Sequence, residues 1–145
     1  MKRIDRIITL FYEEESKVCA EMNSCQDYYS EQLRILNDLH EYEREYKKNH
    51  TAILSSGITI ERINNFNNFM ARLKLTIKQQ SLNVESAQAK LECVRMKWQT
   101  AMKRRKMLDK LNTRLDTKSR IKDLQYEQKE LDESVSAMFY LKKHD

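Results

Sequence analysis

Apolar side chains recur along this chain at alternating steps of three and four residues. Between Ile4 and Ile53, eleven of the fifteen positions on this pattern are apolar or aromatic. Between Ile63 and Leu108, twelve of the fourteen positions are apolar. A spacing of 3.5 residues held over such lengths is typical of the seam of a left-handed coiled coil. The pattern therefore predicts two long helices, at residues 4–54 and 60–142.

Residues 55–59 separate the two periodic stretches. Gly57 is the one glycine of the chain, and there is no proline. Because glycine adopts a left-handed conformation without steric cost, we expect Gly57 to end the first helix. Thr59 is expected to cap the second helix, with Ile58 packed on Ile63 as a hydrophobic staple. So short a connection predicts antiparallel neighbours, and hence an all-α fold with 1–145 as a single antiparallel two-helix coiled-coil hairpin.

The apolar pattern changes phase after Leu108. Leu111 and Leu115 continue one stripe, and five later residues follow another: Ile121, Leu124, Leu131, Val135 and Met138. We expect a local change of supercoil near residues 112–120, where asparagine, threonine and serine weaken the helix. Folding at Gly57 sets Ile4 opposite 108–111, so the rest of the second helix has no partner in its own chain. Two paired helices bury little surface, which favours a role inside a larger assembly.

The composition excludes several classes of protein. One glycine cannot build the turns of a β-sandwich, a P-loop or a dinucleotide-binding loop. No stretch approaches the roughly 18 apolar residues that a membrane span needs, and three cysteines favour reduced thiols in the cytosol. There is no Cys-x-x-Cys, no His-Glu-x-x-His and no Cys–His pair, and no cleft is expected around the acidic residues. We therefore expect no metal, no cofactor and no enzymatic activity.

Charge is unevenly distributed along the chain. Residues 1–57 carry 8 basic and 11 acidic side chains, whereas residues 58–145 carry 19 and 11. Ten basic residues and two acidic residues lie between Lys97 and Lys122. This run is either a solvated helix face or a contact for a protein with an acidic rim. Nucleic-acid binding is a further possibility, but Trp98 is the one stacking residue nearby, and such sites interleave several.

A surplus of apolar residues lies beside the predicted seam in the half nearest Gly57. Leu39, Tyr46, Leu73 and Gln80 belong to the seam itself. Ile35, Tyr42, Phe69 and Thr76 lie next to it at the same helical spacing. The surplus indicates either a wider seam or a surface that another protein covers.

At these residues the chain resembles the flagellar export protein FliJ family. The resemblance runs through Leu39-x-x-Tyr42-x-x-Glu45-Tyr46 and Gly57, then Phe66-x-x-Phe69-x-x-x-Leu73-x-x-x-Ile77-x-x-Gln80 and Trp98-x-x-Ala101. It continues in the basic stretch Lys103 to Lys106, in Leu108-x-Lys110-Leu111 and in Gln128-x-x-x-Asp132-Glu133. It covers residues 4 to 138, most of the chain.

The resemblance implies a non-enzymatic two-helix stalk, similar to the central shaft of rotary ATPases, in flagellar type III protein export. Its implied partners are the hexameric export ATPase, the cytoplasmic domain of the membrane export gate, and export chaperones. It implies a cytoplasmic location, peripherally at the inner membrane, and a link to motility. The implied gate-binding residues are Ile35, Leu39, Tyr42, Tyr46, Phe69, Leu73, Thr76 and Gln80. For the ATPase ring we predict Arg104, Arg105, Lys106, Lys110 and Arg114, at the end where the termini meet.

Two alternatives stay open. One is the equivalent stalk of a virulence-type injectisome. The other, from a different class, is a basic coiled-coil dimer that binds nucleic acid. A steep salt dependence of DNA affinity would favour this second alternative.

Overall fold

The computed structural model of the chain describes residues 3–57 and 59–144. Two α-helices, α1 (Arg3–Leu54) and α2 (Ile60–His144), account for nearly all of these residues, and the described ranges contain no strand. The predicted all-α fold with two long helices packed on each other is confirmed. The predicted helix bounds were 4–54 and 60–142, and a single domain over 1–145 stays a prediction.

The turn between the helices follows from two local features. Gly57 has a φ of 87°, in the left-handed region that the sequence argument required of it. Its main-chain N–H donates to Leu54 O at 3.4 Å, which closes the last turn of α1. At the start of α2, the Arg62 N–H donates to Thr59 Oγ1 at 3.3 Å, so Thr59 caps the helix as predicted. The proposed staple on Ile58 lies outside the described residues.

Contacts between the helices divide the chain into two compact units. In the first, residues 15–100, the two helices pack through a seam that holds most of the core. Its centre is a cluster of Val18, Cys25, Leu91 and Val94, against which Met22, Tyr29 and Trp98 pack. Leu91 is the most deeply buried, at 2 % exposure. Burying a side chain of this size contributes about 2 kcal/mol, which makes this seam the main source of stability in the unit.

The second unit contains residues 3–14 and 101–144 of the described chain. The Tyr12 hydroxyl of α1 donates to Asp109 Oδ2 of α2 at 2.9 Å. Helix α2 is uninterrupted across 112–120, where the Thr113 and Thr117 hydroxyls each donate to a carbonyl one turn earlier, at 2.9 Å. All side chains from 117 to 143 are exposed. No side chain in this part of α2 is therefore buried.

Among the described residues, no helix has the length and apolarity needed to cross a bilayer. In the same residues, no three His, Cys, Asp or Glu side chains are grouped so that they could hold a metal ion. The three cysteines are free thiols.

Candidate functional site

Aromatic rings from both helices meet near the turn, within the unit of residues 15–100. The Tyr46 ring lies 4.4 Å from the Phe69 ring and 5.3 Å from the Phe66 ring, centroid to centroid. The Tyr42 ring meets Phe69 edge-on at 6.1 Å. His50 stacks on Phe66 at 3.5 Å with the two planes 6° apart. These five residues, the tip aromatic cluster, join α1 to α2 through ring contacts rather than aliphatic packing.

The eight residues predicted to bind the export gate fall into two groups. Six reach the surface, because Tyr42 and Thr76 are exposed and the other four are half-buried: Ile35, Leu39, Tyr46 and Phe69. Leu73 and Gln80 are buried, at 7 % and 9 % exposure. In this conformation neither presents its side chain to a partner. The structure brings Tyr42, Tyr46 and Phe69 together, and the two buried residues lie in the seam beneath the surface group.

Gln80 is the one buried polar side chain among the described residues, and all of its polar atoms are satisfied. Its Nε2 donates to the main-chain oxygen of Gln32 and to Gln32 Oε1, both at 2.9 Å. Its Oε1 accepts a hydrogen bond from Asn83 Nδ2 at 3.2 Å. A buried amide is tolerated only when it is paired, so this arrangement fixes which part of α1 faces Gln80.

Two members of the tip aromatic cluster were not among the predicted contact residues. Phe66 and His50 both lie on the heptad pattern. This pattern predicts that both residues lie in the seam, but it does not predict that their rings contact each other. The signal that could have found them is the run of rings at seam positions, Tyr46 and His50 on one helix against Phe66 on the other.

The five predicted ATPase-ring residues lie in the second unit, and three of them line a shallow groove. Arg104, Lys110 and Arg114 line this groove together with four apolar residues, Phe11, Met107, Leu108 and Leu111. Met107 is 70 % exposed and Leu111 is 46 % exposed, so the apolar floor is open to solvent. Cationic side chains around an apolar floor suit a partner surface that is both apolar and acidic. We call this feature the basic groove.

Arg105 and Lys106 do not line the basic groove. The Arg105 side chain is only 20 % exposed, and its Nη1 donates to Asp109 Oδ2 at 3.3 Å. Its guanidinium also lies 5.0 Å from the centre of the Tyr12 ring. The hydrogen bond to Asp109 raises the pKa of Tyr12, with smaller raising effects from burial and the Asp109 charge, while Arg105 opposes the rise. Arg105 therefore helps to hold α1 against α2, and Lys106 is an exposed cation.

A hairpin of two long helices, with a polar pair inside its seam and an aromatic cluster beside its turn, defines an α-helical protein of the coiled-coil class. The family model described as "Flagellar FliJ protein" matches residues 1–144, and the chain belongs to this family. A curated relative, the "Flagellar FliJ protein" of Escherichia coli (strain K12), is 26 % identical over 121 residues. That match covers 83 % of this chain and 80 % of the relative. No solved structure matches the chain.

Proposed function

We propose that this chain is the non-enzymatic stalk of the flagellar type III export apparatus. In this role it couples the hexameric export ATPase to the membrane export gate and assists the delivery of substrates by chaperones. As a member of the FliJ family, the chain is a component of the flagellar export machinery. The proposed location is the cytoplasmic face of the inner membrane.

The observation that carries this proposal is the family match over residues 1–144, because it covers both candidate surfaces at once. The tip aromatic cluster and the basic groove lie in different units of the structure. A coupling stalk needs two separate binding surfaces for two partners. The presence of two chemically distinct surfaces, one aromatic and one basic, supports this role.

For the gate, we propose Tyr42 and Phe69 as anchors, with Ile35, Leu39, Tyr46 and Thr76 around them. Tyr42 combines 49 % exposure with ring contacts to both Tyr46 and Phe69, so it is held in place yet available. Aromatic side chains of this kind carry much of the binding energy in protein interfaces. Leu73 and Gln80 contribute by fixing the positions of the two helices beneath these anchors.

For the ATPase ring, we propose the basic groove, with Arg104, Lys110 and Arg114 as the contacting cations. Burial of the exposed apolar floor adds binding free energy that salt does not screen, whereas the cations increase the rate of association with an acidic partner. Arg105 and Lys106 stay predicted ring contacts outside the groove, and for Arg105 we propose a further role through its packing on Tyr12 and Asp109.

The test is reconstitution with purified flagellar export ATPase and the cytoplasmic domain of the export gate. We expect the chain to bind both proteins and to stimulate ATP hydrolysis without added DNA. Binding to injectisome components in preference to flagellar ones would move the assignment to the alternative stalk. Stimulation that appears only with DNA would support the nucleic-acid alternative, although the floor of the basic groove is lined by aliphatic side chains and one phenylalanine rather than by several stacking rings.

A further inference from the structure

The outer face of α2 carries a stripe of residues with no charge. Within the unit of residues 15–100, eight consecutive positions at steps of four and three are uncharged and exposed. We call these the outer α2 stripe: Leu75, Gln79, Leu82, Ser86, Ala89, Cys93, Met96 and Thr100. On a helix with the heptad period these positions lie opposite the buried seam residues, such as Val84, Leu91 and Val94.

The outer face of α1 in the same unit has the opposite character. The equivalent positions from 17 to 48 number ten, and eight of them are charged: Lys17, Asp27, Glu31, Arg34, Asp38, Glu41, Glu45 and Lys48. Solvated outer positions of a coiled coil are normally charged in this way. Both outer faces are exposed to the same solvent, so solvation alone does not account for the uncharged stripe on α2.

We propose that the outer α2 stripe packs against the same stripe of a second copy, with the two α2 helices parallel and in register. The argument comes from the charged residues on the two edges of the stripe. In a parallel pair, the residue that precedes one core position contacts the residue five places later on the partner helix. Glu85 is then opposite Lys90 of the second copy, and Glu92 is opposite Lys97.

Twofold symmetry doubles these contacts, so the dimer has four pairs of opposite charge. The remaining contact along the edges of the stripe joins Lys78 of one copy to Asn83 of the other and is not repulsive. An antiparallel pair would instead set the edge of Lys78, Glu85 and Glu92 against itself and the edge of Asn83, Lys90 and Lys97 against itself, so its contacts would include pairs of like charge. In the monomer Glu92 pairs with Arg95 at 2.8 Å, with both side chains about half exposed. Exposed pairs of this kind contribute little, so exchange with Lys97 of the second copy costs little.

The composition of the stripe sets the strength of the contact. Leu75, Leu82 and Met96 are 67 %, 57 % and 68 % exposed in the monomer, so three large apolar side chains per copy become buried. The glutamine, serine and threonine of the stripe are poor core residues, and Ala89 adds little apolar area. The dimer is therefore weak and dissociates on dilution. It does not depend on the function proposed above.

Sedimentation equilibrium over a range of protein concentrations measures the association. The full chain is expected to show a reversible monomer–dimer equilibrium. Leu82→Glu with Met96→Glu is expected to weaken the dimer at least about tenfold, or roughly 1.4 kcal/mol. The matched control places the same glutamates on the outer face of α1, as Ala20→Glu with Ser24→Glu, and leaves association unchanged. A chain that stays monomeric at every concentration overturns the proposal.

Cys93 can be used to test the relative orientation of the two α2 helices, because it lies in the outer α2 stripe and no cysteine has to be introduced. In a variant with Cys19→Ser and Cys25→Ala, Cys93 of one copy faces Cys93 of the other only in the parallel, in-register pair. Mild oxidation is then expected to yield a disulfide-linked dimer. Glu85→Lys with Glu92→Lys should abolish this product, and adding Lys90→Glu and Lys97→Glu should restore it. If the double variant cross-links as well as the parent, or if the fourfold variant does not recover, the parallel pairing is wrong. If the chain stays monomeric and the outer α2 stripe is covered only in a complex with a helix of another protein, the proposal is also overturned.

Discussion

The side-chain amide of Gln80 donates to the main-chain oxygen and to the side-chain oxygen of Gln32, each at 2.9 Å. The two residues are 48 positions apart in the sequence and lie on different helices. Aliphatic seam residues on either side can slide past one another at small cost, whereas a two-acceptor hydrogen bond has one geometry. The pair therefore specifies which turn of α1 lies against which turn of α2.

The first prediction concerns this pair. Gln80→Ala removes both hydrogen bonds to Gln32 and the one accepted from Asn83, and it leaves a small void. We therefore expect the free energy of unfolding to fall by about 1–3 kcal/mol. Gln32→Ala removes one acceptor and leaves the main-chain acceptor in place, so its effect should be less than half as large. Urea denaturation followed by circular dichroism measures both. Equal losses in the two variants would show that the main-chain bond contributes nothing.

The second prediction separates binding from stability at the tip aromatic cluster. Tyr42→Ala is expected to reduce affinity for the export-gate domain about thirtyfold, or about 2 kcal/mol, with almost unchanged melting temperature. The reason is that Tyr42 is half exposed and the seam does not need it for closure. Phe69→Ala should lose affinity and also some stability, because its ring contacts both Tyr42 and Tyr46.

Tyr28→Ala is the matched control, since Tyr28 is 55 % exposed in the same unit but lies outside the cluster. It is expected to bind the gate domain normally. Calorimetric titration gives the affinities and thermal melting gives the stabilities. A Tyr42→Ala variant that melts early yet binds with full affinity would refute the assignment of Tyr42 as a surface anchor.

The third prediction concerns the basic groove. Reversing Arg104, Lys110 and Arg114 to glutamate should abolish stimulation of the export ATPase while helicity persists, because all three line an exposed groove. Stimulation by the parent chain should also fall with rising salt, as exposed charges are screened. The control reverses three exposed cations of the other unit, Lys17, Lys48 and Lys74, which changes the net charge equally. Equal loss in both triple variants would indicate a general charge effect rather than a groove.

The fourth prediction concerns Arg105, which does not line the basic groove. Arg105→Lys retains the charge but replaces the guanidinium that lies over the Tyr12 ring and donates to Asp109 Oδ2. If Arg105 acts through packing, this variant should show faster amide exchange at residues 3–14 and a modest loss of stimulation. If Arg105 instead contacts the ATPase ring directly through its charge, the lysine variant should stimulate normally.

The fifth prediction is a pH dependence at Tyr12. Its neutral hydroxyl donates to the Asp109 carboxylate, and this hydrogen bond raises its pKa above the ordinary value of about 10. A pKa that is raised in the folded state gives a stabilisation that is complete below the unfolded pKa and is lost as the pH rises through the folded pKa. Ultraviolet difference titration, with Tyr12→Phe to assign the signal, should show the shift, and Asp109→Asn should remove most of it. A Tyr12 phenol that titrates normally in the parent chain contradicts the contact.

Local patterns in the sequence predicted most of the fold. The heptad spacing predicted both helices, and Gly57 and Thr59 act where a left-handed residue and a helix cap were expected. Side-chain relationships between the helices were harder to predict. The burial of Gln80 depends on a partner in the other helix, and the Tyr12–Asp109 contact joins residues 97 positions apart. A repeating pattern predicts which face is buried, but not which residue of one helix meets which residue of the other.

The exposed end of α2 affects how the protein unfolds. Side chains from 117 to 143 are all exposed in the folded chain, so melting this stretch exposes little apolar surface that water does not already reach. Newly hydrated apolar surface is the source of the heat-capacity increment of unfolding, about 12–15 cal/mol/K per residue in ordinary domains. Calorimetry of the free chain should therefore give an increment per residue well below that range. When a partner covers this stretch, the increment should rise by the heat capacity of the surface that the complex buries.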